Sequence, residues 1–102
     1  MNYTKQGTLA VGSNVLFESS IKKNHVVNFI KFTNLAAYDL ELKKYDASDN
    51  TEVSIIKLNL DPGDTVFDNT PYTINQKDKL VVETTTPNTT FLIELTEIWY
   101  LK

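Results

Sequence analysis

The one histidine of the chain, His25, is the residue around which most chemistry would have to be built. A Ser-His-acid triad needs an imidazole as its general base, and a histidine-rich zinc site needs several imidazoles. His25 follows Asn24 at the start of an apolar segment and has no acid beside it in sequence. Because the chain also has no cysteine that could act as a nucleophile, we predict no catalytic residues and no enzymatic activity.

Aspartates lie in two places where carboxylates could bind a cation. The segment 46–50, Asp-Ala-Ser-Asp-Asn, lacks the glycine and the distal glutamate of a calcium loop, so an Asx turn is the better interpretation. Asp61, Asp64 and Asp68 could gather around a hard cation, but aspartate is also typical of hairpin turns. We therefore predict no metal and no cofactor.

Glutamates could hydrolyse a glycoside only as a facing pair across a cleft. Glu83, Glu94 and Glu97 fall on positions that we expect to point outward from their strands. A domain of 102 residues that is built from short strands also leaves little room for such a cleft. We predict no glycosidase site.

Composition excludes several classes of partner. The net charge of -3 provides no basic field for nucleic acid, so we predict no nucleic-acid binding. No apolar run approaches the roughly 20 residues of a membrane helix, and the first residues lack the apolar region of a signal peptide. We expect no membrane association and no cleaved leader, and the absence of cysteine excludes a disulfide framework.

Apolar residues alternate with polar ones in a series of short segments, which predicts strands. Residues 8–17 read as two short strands or one bulged edge strand, with apolar residues at odd positions. Residues 25–33 are apolar on both faces and predict a central strand. Residues 39–43 and 53–60 predict a hairpin. The parity of the apolar residues changes near Ile55, which indicates a bulge or a strand buried on both faces, and we predict the bulge.

Turns separate the later strands. Asp61-Pro-Gly-Asp64 predicts a chain reversal in which Gly63 has a positive φ, and residues 84–90 predict a solvated loop. No segment has helical spacing over three turns. Residues 1–102 are therefore predicted to form a single all-β domain, an antiparallel β-sandwich of jelly-roll or immunoglobulin-like type with about eight short strands. The predicted core is Leu40, Leu42, Leu58, Leu80, Val82, Phe91, Ile93 and Leu95.

Two regions are too apolar for free solvent. One is the loop of Leu35, Ala36, Ala37 and Tyr38, because a loop between strands is normally polar. It either folds back over one end of the sandwich or contacts another protein, and we predict the second. The other region contains Trp99 and Tyr100, which we expect to assist if both regions lie at the same end; for Trp99, core and sugar-stacking positions are the alternatives.

Four motifs together resemble small accessory β-sandwich proteins of tailed bacteriophages. They are Phe29-Ile-Lys-Phe-Thr-Asn34, Tyr38-Asp-Leu-Glu-Leu42, Ile56-Lys-Leu-Asn-Leu-Asp-Pro-Gly-Asp-Thr-Val66 and Asp78-Lys-Leu-Val-Val-Glu83. The resemblance implies a non-enzymatic domain that binds the capsid, the portal-neck region or the tail in many symmetric copies. At Gln76-Lys77 the sequence departs from the pattern, because the family would often have a glycine there.

The resemblance leads to a hypothesis of function. We expect an auxiliary, or decoration, protein of a phage head, assembled in the host cytoplasm and located in the virion, with the major capsid protein as its partner. A collar, tail or fibre-attachment subunit that contacts portal or tail proteins is the first alternative. A carbohydrate-binding module with Trp99 in its platform is the second.

Overall fold

Nine antiparallel strands make up most of the part of the chain that the structure describes. This computed structural model describes residues 2–20 and 23–99, apart from the side chains of Tyr72 and Trp99. The strands in chain order are β1 (Asn2–Thr8), β2 (Gly12–Glu18), β3 (Lys23–Thr33), β4 (Tyr38–Asp46), β5 (Thr51–Leu60), β6 (Thr65–Asp68), β7 (Tyr72–Ile74), β8 (Lys79–Thr84) and β9 (Thr90–Trp99). Within these ranges there is no helix, and hence none that could span a bilayer.

The strands pair like the two arms of one long hairpin. β4 pairs with β5 at the tip, β3 with β6 and β7, β2 with β8, and β1 with β9 at the base. Folded over, this hairpin gives sheet A, in the order β1-β9-β3-β6 with β7 also on β3, and sheet B, in the order β2-β8-β4-β5. Because β6 and β7 pair with successive parts of β3, they form one interrupted strand. The eight-stranded order is that of a jelly roll, so the predicted β-sandwich is confirmed.

The core lies between the two sheets. Six of the eight predicted core residues are buried, namely Leu40, Leu42, Leu80, Val82, Ile93 and Leu95. The other two, Leu58 and Phe91, are half-buried. Leu58 lies on the edge strand β5, where only β4 covers it within the sheet.

A bulge in β5 and the turn that follows it are as predicted. Leu42 pairs with Ile56 and Lys43 with Ser54, so Ile55 is the extra residue. Its insertion explains why apolar residues change parity at this point of the sequence. Gly63, in the turn after β5, has a φ of 80°, which confirms the predicted positive value.

A second bulge, in β3, places Val27 on the same face as Ile30 and Phe32. β3 is indeed central, between β9 and the interrupted strand. However, Val27 pairs with Leu95 and Phe29 with Glu94, so the residue between them is unpaired and the parity shifts. Val27 therefore faces the core and is 1% exposed, whereas Val26, on the other face, is half-buried.

The prediction of a bulged edge strand in residues 8–17 is confirmed by β2, but two details are wrong. The first strand, β1, begins at Asn2 and belongs to sheet A, so the predicted segment contains the crossing from one sheet to the other. In β2 a register shift between Val15 and Phe17 breaks the alternation. As a result Leu16 and Phe17 are buried while Val15 is 57% exposed.

Candidate functional site

The loop between β3 and β4 is held by one buried side chain. Asn34, 5% exposed, donates from its side-chain nitrogen to the carbonyl oxygen of Pro87 and to the hydroxyl of Thr89, both at 2.9 Å. Its side-chain oxygen accepts the N–H of Ala36 at 3.0 Å, and its backbone oxygen accepts the N–H of Gly63 at 2.9 Å. Asn34 thus ties the loop to two neighbouring loops at this end of the sandwich.

The four residues predicted to contact a partner from this loop divide into three exposed residues and one buried residue. Leu35 is 93% exposed, and Ala36 and Ala37 are exposed beside it. Tyr38 is 3% exposed, and its hydroxyl donates to the carbonyl oxygen of Asp64 at 2.5 Å. Tyr38 therefore belongs to the core and offers no side-chain surface to a partner. We define the apolar knob as Leu35, Ala36 and Ala37; its contact with a partner stays a prediction.

The backbone of Trp99, in the second apolar region, lies at the opposite end of the sandwich. Lys23, the first residue of β3, pairs with Trp99, whereas the apolar knob follows Thr33, the last residue of β3. An eleven-residue strand is about 33 Å long at 3.3 Å per step, so the backbone of Trp99 is far from Leu35. The condition for a joint site is not met. The side chain of Trp99 and the whole of Tyr100 lie outside the described residues.

The threonine-rich loop of residues 84–90 was predicted to be solvated, but it is partly buried and supports the apolar knob. Thr84 and Thr89 are 2% and 0% exposed. The carboxylate of Asp39 accepts the backbone N–H and the hydroxyl of Thr85 at 3.1 and 2.5 Å, and the hydroxyl of Thr86 at 3.2 Å. These hydrogen bonds lower the pKa of Asp39 below its ordinary value. The loop is therefore fixed to β4 on one side and to Asn34 on the other.

His25 is part of a buried polar network that the sequence did not predict. Its Nδ1 lies 2.5 Å from the hydroxyl oxygen of Ser19, and its Nε2 lies 3.7 Å from a carboxylate oxygen of Glu97, which is also 3.2 Å from Lys23 Nζ. Ser19 Oγ is in addition 3.3 Å from the carbonyl oxygen of Ile74. Ser19 is 1% and His25 3% exposed. The network joins the end of β2 to β3, β7 and β9, and the Ser19 hydroxyl lies beneath the surface.

The expectation that Glu97 points outward is wrong, because its carboxylate lies beside His25. Its side chain is 14% exposed and lies under the end of sheet A. Burial lowers the pKa of His25 below its ordinary value of 6.5, with Lys23 acting in the same direction and Glu97 opposing both. Tyr3, from β1, also faces the imidazole, and burial and the Glu97 charge raise the pKa of Tyr3. The neutral imidazole is therefore the favoured form in the folded protein.

The lowered pKa of His25 predicts a loss of stability in mild acid. As the pH falls below 6.5, the unfolded chain binds a proton at this histidine before the folded protein does, so the free energy of unfolding decreases. We expect the urea midpoint to fall between about pH 7.5 and 5.5, a window above most carboxylate pKa values. His25→Gln should reduce this slope. Equal slopes for the two proteins would show that His25 does not contribute.

Carboxylates elsewhere form no metal site within residues 2–20 and 23–99, where no three His, Asp or Glu side chains are grouped to hold an ion. Asp64 instead accepts the backbone N–H of Asp61 at 3.3 Å, within the turn. Asp68 accepts the N–H of Thr70 at 2.9 Å in the same way. Aspartates at these positions make the hydrogen bonds that turns require.

An aromatic pair of exposed Phe67 and half-buried Phe29 on sheet A was not predicted from the sequence. Phe67 on β6 is 66% exposed and stacks against Phe29 on β3, with ring centroids 6.1 Å apart. The alternation in β6 contained the signal, because Val66 is the inward residue and Phe67 must then point outward. The side chain of Phe29 reaches the same face because of the bulge that precedes it in β3.

Comparisons with known proteins show similarity in fold. No protein-family model and no curated protein matches the sequence. Among solved structures, a subunit of Bacillus endospore appendages, described as disulfide-linked pili, is 12% identical with a TM-score of 0.65, over 100% of this chain and 87% of that one. The Drosophila NLP core, described in terms of pentamer formation and histone binding, is 13% identical with a TM-score of 0.52, over 96% and 98%.

A viral protein has a similar fold in part of its chain. The structure of infectious bursal disease virus, strain Gx, contains a chain that is 15% identical with a TM-score of 0.53. The similarity covers 93% of the present chain and 31% of the viral one, so this domain spans about a third of that protein. At these identities the comparisons show a shared fold.

Proposed function

We propose that this protein is a non-enzymatic structural subunit of a tailed-phage virion, an auxiliary capsid protein that binds the major capsid shell in many copies. The observation that carries the proposal is the apolar knob, in which Leu35 is 93% exposed on a loop held by the buried Asn34. A fully exposed leucine on a fixed loop is suited to insertion into an apolar pocket of another protein.

The fold relationships support a role in assembly. The three similar structures come from pili, from a protein described as pentameric and from a virus, and each of these is built from repeated protein subunits. The phage setting is supported by the strand-and-turn motifs between residues 29 and 83. The pili are disulfide-linked, whereas this chain has no cysteine, so its contacts would be non-covalent.

The burial of the network around His25 supports a non-enzymatic function. Ser19, His25 and Glu97 have the residue types of a hydrolytic triad. A nucleophile must reach its substrate, but Ser19 is 1% exposed and its hydroxyl contacts the carbonyl oxygens of Lys23 and Ile74. We assign this network to holding the two sheets together at one end.

Replacing Leu35 by Asp should abolish binding to capsids and leave folding intact. Leu35 is 93% exposed, so its substitution removes few intramolecular contacts, while a carboxylate cannot enter an apolar pocket without losing its hydration. The measurement is co-sedimentation of the purified protein with phage heads assembled without it, compared with the melting temperature of each variant. We expect less than about a tenth of wild-type binding, because burying a charge costs more than 1.4 kcal/mol.

Val15→Asp is the matched control, because Val15 is also exposed, at 57%, but lies on the outer face of sheet B. It should bind heads as the wild type does. Normal binding by Leu35→Asp would exclude the apolar knob as the interface. Failure of the wild-type protein to associate with any virion component would overturn the proposed function.

A collar, tail or fibre-attachment subunit is the alternative within the same setting. The copy number per particle distinguishes the two functions, because a decoration protein follows the capsid lattice, whereas a collar or tail subunit follows the lower symmetry of the tail. Quantitative mass spectrometry of purified particles measures it. A copy number equal to that of a portal or tail ring would replace the capsid assignment with the alternative.

A further inference from the structure

The four lateral edges of the two sheets differ in how well they are protected from pairing with another strand. An unpaired edge is a template for a further strand unless it is short, interrupted, bulged or charged. Sheet A ends at β1 on one side and at β6 and β7 on the other, and sheet B ends at β2 and β5. All four edges carry some protection, which is weakest on β5.

The β1 and β2 edges are protected by an inward lysine and a bulge. Lys5, opposite the buried Ile93, points inward from β1, and its Nζ donates to the carbonyl oxygen of Leu16 in β2 at 3.0 Å. Leu16 is also the point where the register of β2 shifts. A strand that paired here would have to displace this charge.

The β6 and β7 edge is protected because it is interrupted. β6 has four residues and β7 three, and residues 69–71 between them end in Pro71, which has no N–H to donate. Neither piece presents enough continuous backbone for a stable added strand.

The β5 edge has the least protection. It is ten residues long, contains neither proline nor glycine, and pairs only with β4 among the strands that the structure describes. Beyond the bulge at Ile55, the regular part of β5 carries Ile56, Leu58 and Leu60, all half-buried. They lie on the inner face, where Ile56 and Leu58 line the open side of the core together with Val66 and Leu60 packs against the core. Their remaining exposed surface would be covered by one further strand.

The charges beside this edge are complementary to those of a second copy. Lys57 on β5 and Asp61, the first residue after it, form no ion pair or side-chain hydrogen bond within residues 2–20 and 23–99. By the alternation of an extended chain, both lie on the outer side of the sheet, with Asn59 between them. Lys43, on the same outer face, is already surrounded by Glu41, Glu52 and Glu83.

We propose that β5 pairs antiparallel with β5 of a second copy around a twofold axis at Leu58. This pairing joins the two B sheets into a single eight-stranded sheet. In this register Ile56 lies opposite the partner's Leu60, so the apolar residues meet on the inner face. Lys57 lies opposite the partner's Asn59 and diagonal to both the partner's Asp61 and the partner's Lys57, so two attractive Lys57–Asp61 contacts outnumber one repulsive contact between the lysines. An axis at Lys57 would instead oppose two lysines, and an axis at Asn59 would draw Pro62 into the pairing.

The twofold symmetry repeats each contact, so the two Lys57–Asp61 contacts form or fail together. The partner is thus a second copy of this chain, and backbone hydrogen bonds along the regular part of β5 supply the attachment. This inference goes beyond the proposed function and holds for the isolated protein, whichever assembly it joins.

Sedimentation analysis of the purified protein over a range of concentrations tests the dimer. We expect a monomer–dimer equilibrium, and we expect Lys57→Asp to weaken the dimer about tenfold, since it converts two attractive diagonal contacts into two repulsive ones. The double variant Lys57→Asp with Asp61→Lys exchanges the charges and should restore the dimer. Lys31→Asp, with the same charge change on sheet A, should leave the dimer unchanged.

A nitroxide distance tests the register. A label at Asn59→Cys is the only cysteine of that variant, and pairing around Leu58 places the two labelled Cα atoms roughly 8 Å apart. A label at Thr4→Cys, on the β1 edge, should give no such short distance. A monomer up to millimolar concentration, a dimer that Lys57→Asp leaves unchanged, or a short distance from the β1 label would overturn the proposal.

Discussion

Ile93→Ala should lower the free energy of unfolding by about 2–5 kcal/mol, because removing a buried aliphatic side chain loses its transfer free energy and leaves a cavity. Ile93 is 0% exposed on β9, where it pairs with Lys5 of β1 on one side and Ile30 of β3 on the other. Because β9 is hydrogen-bonded to β1 on one side and β3 on the other, its backbone has little freedom to move into the cavity. Domains of this size are stable by about 5–15 kcal/mol, so a large fraction would be lost.

Chemical denaturation measured by tryptophan fluorescence gives this difference in free energy. Glu94→Ala is the control, because Glu94 is the next residue of β9 and is exposed on the outer face of sheet A. We expect the control to stay within about 0.5 kcal/mol of the wild type. Unfolding curves of Ile93→Ala and wild type that coincide would mean that β9 faces the core with the opposite parity.

Asn34→Ala should lower the free energy of unfolding by about 1–3 kcal/mol, the cost of leaving buried polar groups without partners. The substitution removes the donor to Pro87 O and Thr89 Oγ1 and the acceptor for the N–H of Ala36. Thr89 is 0% exposed, so its hydroxyl has little access to water in place of the lost bond. The β3–β4 loop should then lose its fixed position.

Hydrogen exchange separates a local effect from a global one. We expect the N–H of Ala36 to exchange faster in Asn34→Ala even where the remainder of the protein stays folded, and we expect binding to phage heads to weaken. Asn69→Ala removes an exposed asparagine between β6 and β7 and should change neither property. An unaltered exchange rate at Ala36 would show that Asn34 does not hold the loop.

The strands could be predicted where alternation is local and uninterrupted. Leu40 and Leu42 point inward with charged residues between them, and the structure confirms their burial. The shifts at Leu16 and between Val27 and Phe29 could not be predicted, because a bulge depends on which strand lies opposite and in which register. Only the bulge at Ile55 left a visible change of parity in the sequence.

The candidate site was predictable only in its exposed part. Leu35, Ala36 and Ala37 were found because apolar residues in a loop are unusual, but the same signal wrongly included Tyr38, whose hydroxyl reaches the turn at Asp64. Anchors such as Asn34 and Thr89 are polar residues whose burial depends on contacts distant in sequence. The approach of Glu97 to His25 is a consequence of the pairing of β3 with β9 and left no trace in the local sequence.

The position of β9 between β1 and β3 determines when the domain can fold during its synthesis. β1 is made first, yet its only strand neighbour in the described chain is β9, the last strand to be made. Until then, sheet A lacks its centre, while the β4–β5 hairpin and β8 of sheet B already have their partners. Such distant pairing slows folding, since a long stretch of chain must be ordered before the contacts form. A nascent chain therefore spends most of its synthesis with the edge of β3 that pairs with β9 unpaired.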